Sequence, residues 1–485
     1  MYLGLDIGTS AVKAVVMDDG GAVAAQASAP LSVSRPRPLW SEQNPDDWWR
    51  AADAAVRSLD PRLRAGVRGI GLAGQMHGAT LLGEGDRVLR PAMLWNDGRA
   101  GAECAELEAA EPRSRTITGN RAMAGFTAPK LLWVRRHEAA VFAATRTVLL
   151  PKDYVRLVMT GDKATDVSDA SGTLWVDVGA RAWSAAMLQA THLDDRQMPA
   201  LHEGSAVTGV LRAEIAAAWG MSRVPVAAGA SDNAGAAIGL GVIDPGAAFL
   251  SLGTSGVILA ADDRFRPNPA AAVHAFAHAL PGRWHVMSVM LSAAACVEWG
   301  VALLGLADAA AFVALAETAL PGAGGVMFLP YLSGERTPHD DPHARGTLFG
   351  LTAATGPACI ARAILEGVAM GLRDGLEALQ AGGVAVTALS VAGGGARSLF
   401  WGRILAATLG LPLLYRAGGD VGPAFGAARL ARLATGGAPI AEICAPPPLA
   451  SRIDPDAALA DAARARHPLF RQLYAALRPS FRSLA

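Results

Sequence analysis

Cysteine is scarce: 485 residues contain four, Cys104, Cys296, Cys359 and Cys444. They form no CxxC pair and no dense spacing, which argues against a disulfide-stapled scaffold and predicts a reducing, cytoplasmic setting. An excess of charge of either sign is also missing, since 43 Lys+Arg balance 43 Asp+Glu. Such a chain has no basic face for nucleic acid or an anionic membrane, so a small-molecule partner is expected, with no nucleic acid and no membrane. Long hydrophobic runs are absent. The longest apolar stretch, Val286 to Val297, stops at Glu298, short of the roughly 20 residues of a membrane span, and reads as a buried helix. Met1 to Asp6 lack the basic and apolar regions of a signal peptide and begin a strand-like pattern, so no cleavage is expected.

The chain is long enough for two or three domains. Short apolar runs, Gly66 to Ala73, Val224 to Ala228, Ala247 to Leu252 and Leu389 to Ala392, alternate with alanine-rich helical patterns such as Cys359 to Ala381 and Asp420 to Ala434. This alternation predicts an α/β architecture. Internal similarity is the strongest organisational signal. Leu5-Asp6-Ile7-Gly8-Thr9-Ser10 is echoed half a chain later by Leu250-Ser251-Leu252-Gly253-Thr254-Ser255, each an apolar strand, a Gly-Thr-Ser turn and a second apolar strand. A second echo relates the helix opening at Asp232 to one opening at Asp420. Two related lobes, 1–245 and 246–485, are therefore expected. No low-complexity linker separates them, so they should be packed and hinged around a cleft, with closure available for function.

A strand ending in Asp6 and followed by Gly8-Thr9-Ser10 makes either an ordinary hairpin turn or a nest of amides and hydroxyls for phosphate oxygens. Its duplicate at Gly253-Thr254-Ser255 favours the phosphate reading, with one turn on each side of a cleft. Gly393-Gly394-Gly395-Ala396 joins an apolar strand to a helix, where bare backbone lets a ligand approach, although a plain turn has the same composition and the spacing is not that of a Walker A loop. Asp232-Asn233 follows a strand and starts a helix, so the carboxylate either caps the helix or faces the cleft above the sheet edge. Met76-His77 also follows a strand end. Trp95-Asn96-Asp97-Gly98-Arg99 gathers the donors and acceptors that polyol hydroxyls require. A structural histidine and a surface turn are the alternatives for these two. His274, Phe276 and His278 would share a strand face with His285 nearby, but no Asp, Glu or Cys joins them at ligand spacing.

Gly125-Phe126-Thr127-Ala128-Pro129-Lys130 through His137, and Gly346-Thr347-Leu348-Phe349-Gly350-Leu351 running on to Glu366, fit the two signatures of the FGGY family of carbohydrate kinases, which the chain resembles from Leu3 to about Arg432. Cys359 departs from the second signature, and Ala230-Ser231 depart from the glycines often preceding the family's catalytic Asp. The resemblance implies two actin-like (ribonuclease H-like) lobes with an interdomain cleft, the first holding sugar and catalytic base, the second the nucleotide. It implies ATP-dependent phosphorylation of a ketose, D-xylulose at its terminal hydroxyl, with Mg²⁺. Kinases for ribulose, gluconate or a related polyol, and a non-catalytic ATP-binding protein, are the alternatives. Carried over by residue, Asp232 is the general base and Asp6 positions Mg²⁺ through water. Met76, His77, Asn96, Asp97 and Asn233 join Asp232 at the sugar. Gly8, Thr9, Ser10, Gly253, Thr254, Ser255, Gly393, Gly394, Gly395 and Ala396 meet ATP. A homodimer is possible on the same ground.

Overall fold

The structure, a computed structural model, describes residues 1–417, 422–436 and 438–484. The first lobe is built on a sheet of β1 (Tyr2–Ile7), β2 (Ala11–Met17), β3 (Val23–Pro30), β4 (Ile70–Gly74), β5 (Val207–Val210) and β6 (Pro225–Ala227), in the order β5-β6-β4-β1-β2-β3, with short β7 (Ala230–Ser231) beside β4. β1, β4 and β6 run parallel, and β2 turns back antiparallel to β1. Parallel strands covered on both faces need apolar residues at every position, and β1 is buried along its whole length. The second lobe repeats the plan with β8 (Gly246–Leu252), β9 (Gly256–Asp262), β10 (His274–Ala277), β11 (Trp284–Met290), β12 (Val386–Ala392), β13 (Leu413–Arg416) and β14 (Leu449–Ile453), ordered β10-β11-β9-β8-β12-β13-β14. Both lobes thus open with the expected hairpin and have the actin-like arrangement, with three parallel strands beside an antiparallel return.

Four helices of the first half carry or support site residues: α1 (Thr127–His137), α2 (Pro151–Thr160), α3 (Val167–Ser171) and α4 (Asp232–Leu240). From the second half come α5 (Ala294–Leu303), α6 (Pro357–Ala381), α7 (Leu399–Leu409) and α8 (Gly422–Ala434). α8 lies on the first lobe's sheet, where Ala424, Phe425 and Ala428 form one buried cluster with Tyr2, Val15 and Met17. α4, from the first half, packs Ala237 and Leu240 into a cluster with Phe249 and Leu259 of the second. The two helices cross at glycines: a Cβ on Gly426 would stand 1.8 Å from the Gly235 carbonyl oxygen. A division at 245/246 therefore sorts the strands but not α8. Asp420, which would open this helix in the sequence echo, lies outside the described residues.

Two sequence expectations need correction. Val286 to Val297 is not one helix: its first part belongs to β11, and α5 begins only at Ala294. The β-branched Val286 and Val289 pair across the ladder with Ala260 and Val257, and that interior position in the sheet overrides an apolar run of helix-like length. The strand expected over Gly66 to Ala73 starts at Ile70, because residues 66–69 form the turn after a short helix, Pro61–Ala65. No described helix is long and apolar enough to cross a membrane.

Candidate active site

Asp6 and Asp232 emerge at the ends of neighbouring parallel strands. Gly74, the last residue of β4, pairs with Ile7 on one side and with Ser231 on the other, so the two aspartates flank the end of one strand. Asp6 is 8% exposed, and its Oδ1 has no hydrogen-bond partner among the described residues. Burial lifts it from the usual carboxylate range to about 7, the Asp232 charge adding to the rise and Lys13 opposing it. Asp232 starts α4 behind the N-cap Ser231, whose Oγ accepts from the Ala234 amide. Burial raises Asp232 to about 6, against hydrogen bonds to its Oδ1 from the Asn233 amide at 2.6 Å and Nδ2 at 2.8 Å. Asn233 thus spends a side-chain donor on holding the ionised form of Asp232.

On the first lobe's side, His77 sits at φ 70° after β4, and Thr127 and Lys130 of α1 donate to its carbonyl. That contact gives the first signature a physical role: Lys130, buried and pushed down to about 7 by desolvation, pins a backbone held in the left-handed region. The His77 ring packs 4.5 Å from Phe126, and its Nδ1 lies 2.6 Å from the Gly172 carbonyl oxygen. Burial lowers its pKa to about 3, with Lys130 and Arg336 adding to the shift and the Gly172 contact opposing it. The ring is therefore neutral, Nδ1 donates to Gly172, and Nε2 is left as an acceptor. Met76 is buried and shares one apolar cluster with Phe126. His274 and Phe276 stack at 5.7 Å behind this wall, and His285 pairs opposite Phe276. His278 lies beyond the strand's end with Nε2 on the Val242 carbonyl. Burial pushes all three of these histidines down, so they are neutral packing groups.

Several sequence-selected residues have their polar atoms engaged elsewhere. The Thr9 hydroxyl donates to Gln75 Oε1 at 2.9 Å and accepts from Trp95 Nε1 at 3.0 Å, so its proton is not free for a phosphate. The Gly8 amide closes its own turn on Ala11, as the Gly253 amide does on Ser255. Ser10 and Thr254 are the exposed members of these turns. Asp97 is enclosed, with Arg99 as a bidentate partner and the Ser41 amide on Oδ2 at 2.8 Å. Arg99 also pairs with Glu42 and stacks 3.4 Å over Trp40. Asp97 is therefore a positioning group with no oxygen left for a sugar, and exposed Asn96 faces a surface hollow formed by residues 35–41. Trp95 is 44% exposed, with its Nε1 committed to the Thr9 hydroxyl.

Two cavities meet at the glycine run. One, of about 410 Å³, is lined from both lobes, by Lys13, Asp232 and Asn233 on one side and Ser251, Gly393 and Gly394 on the other. The second, of about 760 Å³, takes Gly253, Thr254, Gly394 and Gly395 together with the apolar walls Val297 and Phe400. Gly394 borders both, so the space in front of Asp232 adjoins a larger, partly apolar chamber. Gly393 sits at φ 89° with a virtual Cβ 2.7 Å from the Leu252 carbonyl oxygen, a conformation and an approach that only glycine allows. Ala396 packs against the second lobe's core and does not line the chamber.

Sequence reasoning missed Lys13, although the signal was available: counted back from the Gly-Thr-Ser turn it pairs directly with Asp6, at the one outward position of β2. Gln75, which opens the Gln75-Met76-His77-Gly78 run but has no role of its own in the sequence reading, ties the first turn together by donating from its amide to the Gly8 carbonyl.

Residues 1–239 match the N-terminal domain of the FGGY family of carbohydrate kinases, and residues 248–435 match its C-terminal domain. The xylulose kinase of Escherichia coli (strain K12) is 53% identical over 481 residues, covering 99% of this chain and 99% of that protein. The xylulose kinase of Klebsiella pneumoniae is 56% identical over 436 residues, 90% of each chain. Among solved structures, a xylulose kinase from Brucella ovis superposes with a TM-score of 0.96 at 49% identity, covering 99% of both chains.

Proposed function

Because the chain belongs to the FGGY family of carbohydrate kinases, we propose that it transfers the γ-phosphoryl group of ATP to the terminal hydroxyl of D-xylulose, giving D-xylulose 5-phosphate and ADP. The observation that carries the choice of sugar is identity above 50% with two xylulose kinases along most or all of both chains. The cleft chemistry supports the reaction type. Phosphoryl transfer asks for positioning, charge neutralisation and a carboxylate that accepts the hydroxyl proton. In this reading Asp232 takes that proton as the hydroxyl oxygen attacks, and Lys13, on the wall of the same cavity, faces the phosphate charge. Exposed Ser10 and Thr254 offer hydroxyls from opposed turns, and the chamber beside Gly393, Gly394 and Gly395 takes the adenosine. His77 Nε2 accepts from a sugar hydroxyl next to buried Met76, and Trp95 packs on the sugar.

Asp6 fits the role of Mg²⁺ partner, through water. Its buried Oδ1 has no partner among the described residues, and burial together with the Asp232 charge raises its pKa further than Lys13 lowers it, so a second positive charge there would favour the ionised form. A divalent ion bound with ATP neutralises phosphate charge there. The same family resemblance supports a homodimer, which sedimentation of the purified chain would reveal.

The direct test is ADP release with MgATP across D-xylulose, D-ribulose, L-xylulose, gluconate and glycerol. Selective turnover of D-xylulose is expected, and preference for another acceptor would move the sugar-site assignment to that compound. The pH profile tests the base. A carboxylate lifted to about 6 is ionised above that value and takes up a proton below it. kcat/KM for the sugar should therefore level off above about pH 7 and fall about tenfold per unit below about pH 6. Rates that stay flat down to pH 5 would exclude Asp232, with this pKa, as the group whose ionisation limits catalysis.

A further inference from the structure

Beneath the first lobe's active-site edge lies a charged cluster with no access to solvent. Lys152, on α2, is fully buried, and its Nζ meets Asp153 at 2.6 Å, Asp166 at 2.8 Å and Asp169 at 3.1 Å. Placing a cation among three carboxylates in the interior costs desolvation that a well-packed apolar cluster would avoid, and core stability alone does not call for it. The hydrogen bonds that leave the cluster lead toward the catalytic edge. Asp166 caps α3, its Oδ1 accepting from the Ser168 amide and the Ser168 hydroxyl while its Oδ2 faces Lys152. The Ser168 oxygen in turn accepts from the Ser231 amide at 3.1 Å, one residue before Asp232. Arg156, one turn further along α2, donates to the Ala227 carbonyl at 2.9 Å and also to the Ala228 carbonyl, holding the strand that leads to the same site.

The far end of α3 is as closely engaged. Its C-cap residue Gly172 receives His77 Nδ1, and the Ser171 oxygen accepts from the Ala277 amide of the second lobe. One short helix thus touches the chain beside Asp232 at one end and the neutral His77 at the other, with Lys152 fixing its capping residue.

We propose that Lys152, acting through Asp166 and Ser168, is a positioning residue for Asp232, and that α3 fixes the distance between this base and the sugar-side His77. The inference rests on Asp232 being the base. A carboxylate that must meet one sugar hydroxyl works only in a narrow range of placements, and small displacements cost about 10- to 100-fold in rate. Ser168 carries the single hydrogen bond from the cluster to residue 231, so it can be cut without stranding Lys152 among three carboxylates.

The test compares Ser168→Ala, Ser168→Thr and Asp232→Asn in the full-length protein. Ser168→Ala is expected to lower kcat by about tenfold or more, with the ATP dissociation constant within about twofold of the parent and the thermal midpoint nearly unchanged. Ser168→Thr, which keeps the hydroxyl, should recover most of the lost kcat. Unchanged kcat in Ser168→Ala, or a loss that tracks the thermal midpoint and that threonine does not restore, would overturn the positioning role. Near-normal turnover in Asp232→Asn would instead overturn the base assignment itself, and the two failures are thereby distinguished.

Discussion

Replacement of Asp232 by Asn is expected to lower turnover by about 10²–10⁴-fold, the range for loss of a general base, while ATP binding stays within about twofold of the parent. The substitution is nearly isosteric. An Asn Oδ1 can still accept from the Asn233 amide and Nδ2, so the first turn of α4 and the shape of the 410 Å³ cavity should persist. What disappears is the capacity to take a proton. The Asp232 charge is also one cause of the raised Asp6 pKa, so its removal should make Asp6 easier to ionise. Steady-state kinetics paired with calorimetric ATP titration separates the two properties. Turnover near that of the parent would remove Asp232 from the chemistry.

The second large effect is on stability. Gly426→Val should destabilise the protein by about 3 kcal/mol or more, the upper part of the range for overpacking a closed interior. The new Cβ would lie 1.8 Å from the Gly235 carbonyl oxygen and 2.7 Å from its carbon, atoms of helix backbone that cannot rotate away. The same helix passes equally close to the first lobe's sheet, where a Cβ on Gly4 or Gly71 would lie 1.9 Å from the carbonyl oxygens of Ala424 and Ala427. α8 therefore has no direction in which to retreat. Gly101→Ala is the control, because a Cβ there meets nothing within 4 Å. Denaturant unfolding should show a large loss for Gly426→Val and little change for the control. Equal midpoints for the two variants would show that the crossing tolerates a side chain.

The sequence revealed those parts of the molecule whose physics is local. The duplicated hairpins were visible because a Gly-Thr-Ser turn between apolar strands repeats in both halves, whereas the position of Asp232 between a strand and a helix fitted a helix cap as well as a cleft carboxylate, and the family resemblance was needed to favour the second. The Gly393-Gly394-Gly395 run stood out as bare backbone between a strand and a helix, and the structure adds a positive φ at Gly393 that glycine alone adopts readily. What escaped depends on partners distant in the chain. Asp97 reads as a free carboxylate until the Ser41 amide reaches it and Glu42 and Trp40, from far earlier in the chain, hold its neighbour Arg99 against it. The Thr9 hydroxyl looks available until Gln75 and Trp95 arrive from 66 and 86 residues away. Val286 to Val297 was misjudged because an apolar run carries no periodicity to tell a sheet interior from a helix. Nothing in residues 422–434 announces that they belong on the sheet of the other half.

That last arrangement bears on how the protein is made. A ribosome that has finished the first half has produced a sheet with one face bare, because the helix that covers Tyr2, Val15 and Met17 is encoded roughly 190 residues further on. At about 5–20 residues per second, the uncovered face waits on the order of 10–40 s before its lid leaves the exit tunnel. Neither lobe is therefore complete when the first half has been made: the second lobe's sheet gains β13 before residue 422 has been added and β14 only after residue 434, so the first lobe's lid is made between two strands of the other lobe's sheet.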